Sequence, residues 1–253
     1  MAQRVVELSA RDDILAAIRR GLGRGALPAD RAAALDARLA AHKRNLVPAR
    51  AAALDRRGRI DLFVAMAEEV QATVARVTAA ADVPGEVARY LAAENLPAEL
   101  VMAPDPAIDA IPWHERPLLQ IRRGKADVAD AVSLTPCVAA IAETGTLMLA
   151  SSAAAPTSLN FLPDTHIVVV RAGQVVAGYE DGWDLVRDQT GEKPAAMPRT
   201  VNFITGPSRT GDIEQRIELG AHGPRRLHIV LIDPPPLPPV GAGQGDGDAA
   251  PVA

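Results

Sequence analysis

The sequence carries two short polar segments whose residue types can bind or activate a small anion, and the more informative one is Gly206-Pro207-Ser208-Arg209-Thr210. The guanidinium of Arg209 can bind a carboxylate or a phosphate through two parallel hydrogen bonds, and the hydroxyls of Ser208 and Thr210 can donate others. The strand-like run Val201-Asn202-Phe203-Ile204 precedes the segment, and we predict that a helix follows it. Because ligands of open α/β sheets bind where strands end and helices begin, this junction predicts an anion site. The alternative is that these residues form a helix cap followed by an arginine on the protein surface, without a bound ligand.

The second polar segment, Glu143-Thr144-Gly145-Thr146, separates two apolar runs and predicts two strands joined by a tight turn. A carboxylate buried between apolar strands resists ionisation, so Glu143 is a candidate catalytic base or acyl-accepting nucleophile. The alternative is a turn glutamate that lies in solvent or pairs with an arginine such as Arg209. We expect the two polar segments to meet at one rim of the sheet and to form one substrate site. The other residues assigned to this site are Thr144, Gly145, Thr146 and Gly206.

From residue 60 the sequence alternates between helical and strand-like patterns, which is typical of α/β proteins. A helical stripe around Phe63 precedes the alternating run of residues 73–78, and Pro84 fits the first turn of the next helix. Further strands are predicted at residues 100–103, 118–121, 138–142, 147–150, 166–170, 174–177 and 227–232. Ile213 and Ile217 share one face of a predicted short helix. Short connections of this kind favour parallel strands with right-handed crossovers, so the predicted fold is a mostly parallel sheet flanked by helices.

The two ends of the chain differ in composition from its middle. Residues 1–59 are predicted to form an N-terminal helical extension, because Leu35, Leu39 and Leu46 recur at helical spacing. Residues 60–233 are predicted to form the α/β domain. Residues 234–253 are rich in proline and glycine and are predicted to be a disordered tail.

Composition excludes several classes of partner. The 27 Lys and Arg residues against 31 Asp and Glu residues give a net charge of −4, so nucleic acid is not expected to bind. No apolar run approaches the roughly 18 residues that span a bilayer. The first residues lack an apolar signal region, so we expect a cytoplasmic protein.

The single cysteine, Cys137, lies in an apolar run and is predicted to be a small buried side chain. One thiol can form neither an internal disulfide nor a cysteine cage for zinc or an iron–sulfur cluster. Any electron carrier must therefore lie elsewhere. His166 and His228 lie in apolar strands and are predicted to be hydrogen-bonded structural imidazoles, and the five histidines show no spacing that predicts a metal site.

Three ordered motifs of this sequence resemble those of the LUD-domain family. The first is Ile141-Ala142-Glu143-Thr144-Gly145-Thr146, and the second is Ser158-Leu159-Asn160-Phe161-Leu162-Pro163 leading into residues 166–170. The third runs from Ile204 to Glu214 and on to Gly220-x-His222-Gly223-Pro224. Family members often carry alanine where this sequence has Gly211. The resemblance covers about residues 60–232.

The resemblance implies a fold similar to that of sugar-phosphate isomerases and CoA-transferases. It also implies a role in carbon metabolism, in the oxidation of L-lactate to pyruvate. Two partner proteins with cysteine-rich and iron–sulfur domains would hold the clusters, and this chain would hold no cofactor. A glutamate is acylated in the related transferases, and Glu143 is its counterpart by analogy.

Two other functions stay open from the sequence. The chain can be a free-standing enzyme of the transferase or isomerase type that acts on an anionic small molecule. It can instead be a non-catalytic assembly module, with the N-terminal helices as its docking surface.

Overall fold

The structure, a computed structural model, describes residues 9–23, 25, 27–44, 47–190, 197–213 and 216–234. The chain separates into two compact units, residues 1–46 and residues 47–253. The predicted tail lies outside the described residues from position 235 onward. None of the described helices is both long enough and apolar enough to cross a lipid bilayer.

The first unit contains the helices α1 (Ala10–Gly21) and α2 (Ala29–Ala41). Ser9 begins α1 with a capping box, in which its hydroxyl accepts from the Asp12 N–H and its own N–H donates to the Asp12 carboxylate. Neither helix has a buried side chain among its described residues. Several of their apolar side chains are exposed, such as Ile14 at 62%.

The second unit holds the remaining helices and all of the described strands. Its helices are α3 (Ala49–Ala52), α4 (Arg56–Glu69), α5 (Val83–Ala93), α6 (Pro106–Asp109), α7 (Ser158–Phe161) and α8 (Tyr179–Thr190). Its strands are β1 (Thr73–Val77), β2 (Glu99–Met102), β3 (Gln120–Arg123), β4 (Val132–Pro136), β5 (Ala139–Ile141), β6 (Thr146–Ala150), β7 (Thr165–Arg171), β8 (Val175–Val176), β9 (Val201–Ile204), β10 (Arg209–Ile213), β11 (Arg216–Leu219) and β12 (Arg226–Ile232).

A six-stranded sheet in the order β1-β12-β7-β4-β2-β3 forms the centre of this unit, and every neighbouring pair in it is parallel. The central strands β7 and β12 are buried almost throughout, because both of their faces are covered. The predicted fold class, a mostly parallel sheet flanked by helices, is confirmed.

The two faces of the parallel sheet are covered by different elements. On one face α5 packs through Val87 and Leu91 against β7 and β12 residues such as Ile167 and Val230. On the other face, Val168 and neighbouring residues pack against α4 and a second sheet. This second sheet has the order β8-β5-β6-β9, and α8 covers its outer side.

The structure corrects the prediction of a short helix around Ile213 and Ile217. The chain forms an antiparallel hairpin there, in which β10 pairs with β11 and Arg209 lies opposite Leu219. A spacing of four residues fits both a helix, which repeats every 3.6 residues, and a strand, which repeats every two. The Arg209 segment therefore runs into a strand that begins at Arg209, and the predicted helix start is wrong.

A smaller correction concerns the strand predicted at residues 118–121. The strand β3 lies at Gln120–Arg123, two residues further along the chain. Leu118 is 87% exposed. The prediction treated this surface leucine as part of a buried strand and therefore placed the strand two residues too early.

Candidate functional site

The two polar segments lie side by side at one end of the second sheet. β6 pairs with β9 so that Leu147 is opposite Ile204, which brings Thr146 at the start of β6 next to Thr205 just beyond β9. Their hydroxyl oxygens are 2.7 Å apart. The segments therefore share a rim, but it is a rim of the mixed sheet and not of the parallel sheet.

Four hydroxyl groups join the segments into one network. Thr144 lies 2.7 Å from Thr146, and the Tyr179 hydroxyl lies 3.0 Å from Thr144 and 3.1 Å from Thr146. Thr205 completes the network through its contact with Thr146. Each hydroxyl carries one proton, so the four protons are enough to form the four hydrogen bonds. The network ties both segments to the first residue of α8.

Gly145 and Gly206 pack against the backbone at the end of α4. Both have left-handed backbones, with φ of 65° and 73°. A β-carbon would lie 2.4 Å from the Ala67 nitrogen at Gly145 and 2.2 Å from the Val70 oxygen at Gly206. Glycine is therefore required at both positions for conformation and for space.

The Arg209 side chain is exposed and lies at the same end of α4. Its guanidinium donates to the Val70 carbonyl oxygen and to the Gln71 side-chain oxygen, both at 3.3 Å. Carbonyl groups at a helix end lack partners within the helix and attract cations. Both bonds are long, so a carboxylate ligand can compete for the guanidinium.

Ser208 connects the Arg209 segment to the loop that precedes β12. Its N–H donates to the Pro224 carbonyl at 2.8 Å, and its hydroxyl accepts from the His222 N–H at 3.3 Å. The predicted ligand Thr210 lies in β10, and its side chain falls outside the described part of the structure.

Arg209 and Ser208 line a cleft of about 290 Å³, which we call the Arg209 cleft. Its lining residues are Asn160, Phe161, His166, Phe203, Ile204, Thr205, Gly206, Pro207, Ser208, Arg209, His222, Gly223, Pro224 and Leu227. All of them except Phe203 and Leu227 come from the second and third motifs that resemble the LUD-domain family. A cleft that combines apolar walls, hydrogen-bonding groups and one arginine suits a small organic anion.

The floor of the Arg209 cleft contains the buried polar residues Asn160 and His166, which are 5% and 0% exposed. The His166 Nε2 atom lies 2.7 Å from the Thr135 hydroxyl. Burial lowers the pKa of His166 to about 3, so the imidazole is neutral at physiological pH. The prediction of a hydrogen-bonded imidazole in this strand is confirmed.

Glu143 lies beside the cleft but does not line it. Its N–H donates to the Ala177 carbonyl at 3.2 Å, and its half-buried carboxylate points towards Gly178. Within the described residues this carboxylate makes no hydrogen bond or ion pair. Thr144 and Thr146 therefore contact the Arg209 segment through Thr205, whereas Glu143 stays outside the space that Arg209 lines.

A second cleft of about 370 Å³ lies at the carboxyl end of β4, where open α/β sheets usually bind ligands. Cys137, Ser151 and Ser152 line it, and it shares Asn160 with the Arg209 cleft. Burial raises the pKa of the Cys137 thiol to about 12, so it is not a thiolate nucleophile at neutral pH. The described residues include no group of three or more His, Cys, Asp or Glu residues placed to hold a metal.

Sequence reasoning did not assign Asn160, His222 or Tyr179 to the site. Asn160 and His222 lie in motifs that carried the family resemblance, but no spacing in the sequence relates either of them to Arg209. Tyr179 begins a helix and looks like a surface aromatic until the fold brings its hydroxyl to Thr144 and Thr146.

Several known proteins are similar to parts of this chain. "Lactate utilization protein C" of Deinococcus radiodurans is 42% identical over 108 residues, which are 42% of this chain and 48% of that protein. A protein of the same name from Bacillus subtilis is 34% identical over 108 residues, or 43% of this chain and 44% of that protein. The matched part of the chain thus spans less than half the length of these relatives.

A solved structure supports the same relationship. The crystal structure of a DUF162 family protein from Deinococcus radiodurans has a TM-score of 0.53 and 27% identity, covering 70% of this chain and 98% of that one. The family model of the LUD domain matches residues 60–232, which include both polar segments and the whole parallel sheet. By this match, the chain belongs to the LUD domain family.

Proposed function

We propose that this chain is a carboxylate-binding component of lactate utilisation, in which L-lactate is oxidised to pyruvate together with separate iron–sulfur partner proteins. Its membership of the LUD domain family and its similarity to proteins named lactate utilization protein C support this function. The observation that carries the proposal is the Arg209 cleft. Its exposed guanidinium and the Ser208 hydroxyl face a space of a size that suits a small carboxylate.

The chemistry of the reaction explains why partners are needed. Oxidation of lactate to pyruvate removes two electrons and two protons from the carbon and oxygen of the alcohol. The only cysteine of the chain, Cys137, cannot bind an iron–sulfur cluster. In this proposal iron–sulfur clusters of the partner proteins would accept the two electrons, and the solvent would take up the two protons, because the predicted base Glu143 does not line the Arg209 cleft.

Calorimetric titration of the purified full-length chain with L-lactate and pyruvate tests the binding step. We expect Arg209→Ala to weaken binding about tenfold or more, because a charge-assisted hydrogen bond contributes about 1.5–3 kcal/mol. Arg209→Lys should recover only part of the affinity, since an ammonium cannot form the paired bonds of a guanidinium.

Arg57→Ala is the matched control, because Arg57 is an exposed arginine of α4 that does not line the cleft. Equal binding by the wild type and Arg209→Ala would dismiss Arg209 as the carboxylate ligand. Turnover of an acyl-CoA or a sugar phosphate by the purified chain alone would favour a free-standing transferase or isomerase instead.

A further inference from the structure

Two buried polar side chains lie on the floor of the Arg209 cleft, where buried polar groups normally make hydrogen bonds. Asn160 is 5% exposed, and it lines the cleft together with Arg209. His166 is fully buried, and its Nδ1 atom has no partner in the described part of the chain. An unpaired buried polar group costs about 1–3 kcal/mol, so a cleft that places this imidazole nitrogen on the same floor as the Asn160 amide is built to receive a polar group.

Neighbouring contacts hold the backbone beside Asn160 and the imidazole ring of His166. The Ser133 hydroxyl donates to the Leu159 carbonyl at 2.6 Å, which anchors the backbone next to Asn160. The Thr135 hydroxyl binds the other nitrogen of His166, so the imidazole ring cannot turn away without losing that bond. The cleft floor is therefore held in place before any ligand enters.

Charge decides which of the two clefts that share Asn160 receives a carboxylate. The Arg209 cleft has the Arg209 guanidinium on its lining. The lining of the second cleft includes the Asp105 carboxylate and neither lysine nor arginine. A ligand with a carboxylate therefore favours the Arg209 cleft. Its carboxylate binds Arg209, and the rest of the ligand extends towards Asn160 and His166.

We infer that Asn160, supported by His166, determines specificity by hydrogen bonding to an oxygen that the ligand carries next to its carboxylate. The cleft thus selects 2-hydroxy and 2-oxo carboxylates, because an amide can accept from a hydroxyl and donate to a keto oxygen. A carboxylate without that oxygen offers the amide no partner and leaves the imidazole Nδ1 unpaired, and such sites reject the incomplete ligand strongly. The inference rests on the proposed function, since it takes Arg209 to bind the carboxylate.

The experiment compares the affinity of the full-length chain for L-lactate and for propionate, which has the same carbon chain without the hydroxyl. Asn160→Leu keeps the branched shape of the side chain and removes both hydrogen-bonding atoms. Asn202→Leu is the matched control, because the Asn202 amide nitrogen is buried without a partner among the described residues and Asn202 does not line either cleft. Urea unfolding of each free variant accompanies the titrations.

We expect the wild type and Asn202→Leu to bind lactate at least about tenfold more tightly than propionate. Asn160→Leu should bind the two equally and keep the propionate affinity, with no loss of stability, because leucine fills the same buried space with a side chain of similar shape. A lactate preference that persists in Asn160→Leu would overturn the inference. Loss of both ligands together with a lower unfolding midpoint would assign Asn160 a structural role and overturn it too.

The remaining outcomes separate this inference from the proposed function. Equal binding of lactate and propionate by the wild type would refute the role of Asn160 and leave the carboxylate cleft standing. Failure of the wild type to bind either carboxylate would refute the proposed function, and the inference would fall with it.

Discussion

Replacing Gly145 by alanine tests the close contact between the Glu143 segment and α4. The β-carbon of the new residue would lie 2.4 Å from the Ala67 nitrogen and 2.6 Å from the Met66 carbonyl carbon. Both atoms belong to the helix backbone, so they cannot move aside as the end of a flexible side chain could. The turn or the helix must therefore shift, and the hydroxyl network of Thr144 and Thr146 shifts with the turn.

The size of the effect follows from two contributions. The left-handed backbone of Gly145 costs an L-residue roughly 1–2 kcal/mol, and overpacking costs about 1–3 kcal/mol more. We therefore expect Gly145→Ala to lower the free energy of unfolding by about 2–5 kcal/mol. This is a large fraction of the roughly 5–15 kcal/mol that stabilises a typical domain.

Urea unfolding followed by circular dichroism measures this loss, with two glycines as controls. Gly173 has a permitted backbone and no atom within 4 Å of the added carbon, so Gly173→Ala should leave the midpoint unchanged or slightly raised. Gly124 has φ of 137° and only an arginine side-chain atom at 4.0 Å, so Gly124→Ala reports backbone strain without a clash. A Gly145→Ala midpoint no lower than that of Gly124→Ala would refute the packing argument.

Two further predictions concern the buried imidazoles and the hydroxyl network. Burial lowers the pKa of His166 to about 3 and of His228 to about 4, both below the 6.5 of a free imidazole. Below pH 6.5 these histidines are protonated in the unfolded chain but stay neutral in the folded chain. The free energy of unfolding should therefore fall as the pH drops below 6.5, by about 1.4 kcal/mol per pH unit for each histidine. Urea midpoints at pH 7, 6 and 5 measure this slope, and equal midpoints would contradict it. Tyr179→Phe removes two bonds of the network but leaves the contacts of Thr146 with Thr144 and Thr205, so we expect a loss of about 1 kcal/mol in urea unfolding. A midpoint equal to that of the wild type would show that the Tyr179 hydroxyl does not stabilise the network.

The sequence alone was sufficient for elements whose signals are local. The uninterrupted apolar run of residues 167–170, which follows His166, predicts a strand buried on both faces, and β7 is such a strand. Pro84 lies in the first turn of α5, where its fixed backbone angle and missing N–H cost nothing. The turn between β5 and β6 follows from polar residues between two apolar runs. These features depend on neighbours in sequence, so the pattern contains the information.

Long-range packing decided the rest. The spacing of Ile213 and Ile217 fits a helix and a strand equally, and pairing between β10 and β11 selects the strand. Asn160 and Arg209 are 49 positions apart, and only the packing of α7 beside the Arg209 segment places them in one cleft. Gly145 and Gly206 resemble flexible ligand-binding glycines in the sequence, whereas the fold shows that the backbone of α4 leaves no room for a side chain at either position. Such proximity depends on contacts between distant segments, which no local pattern of residues records.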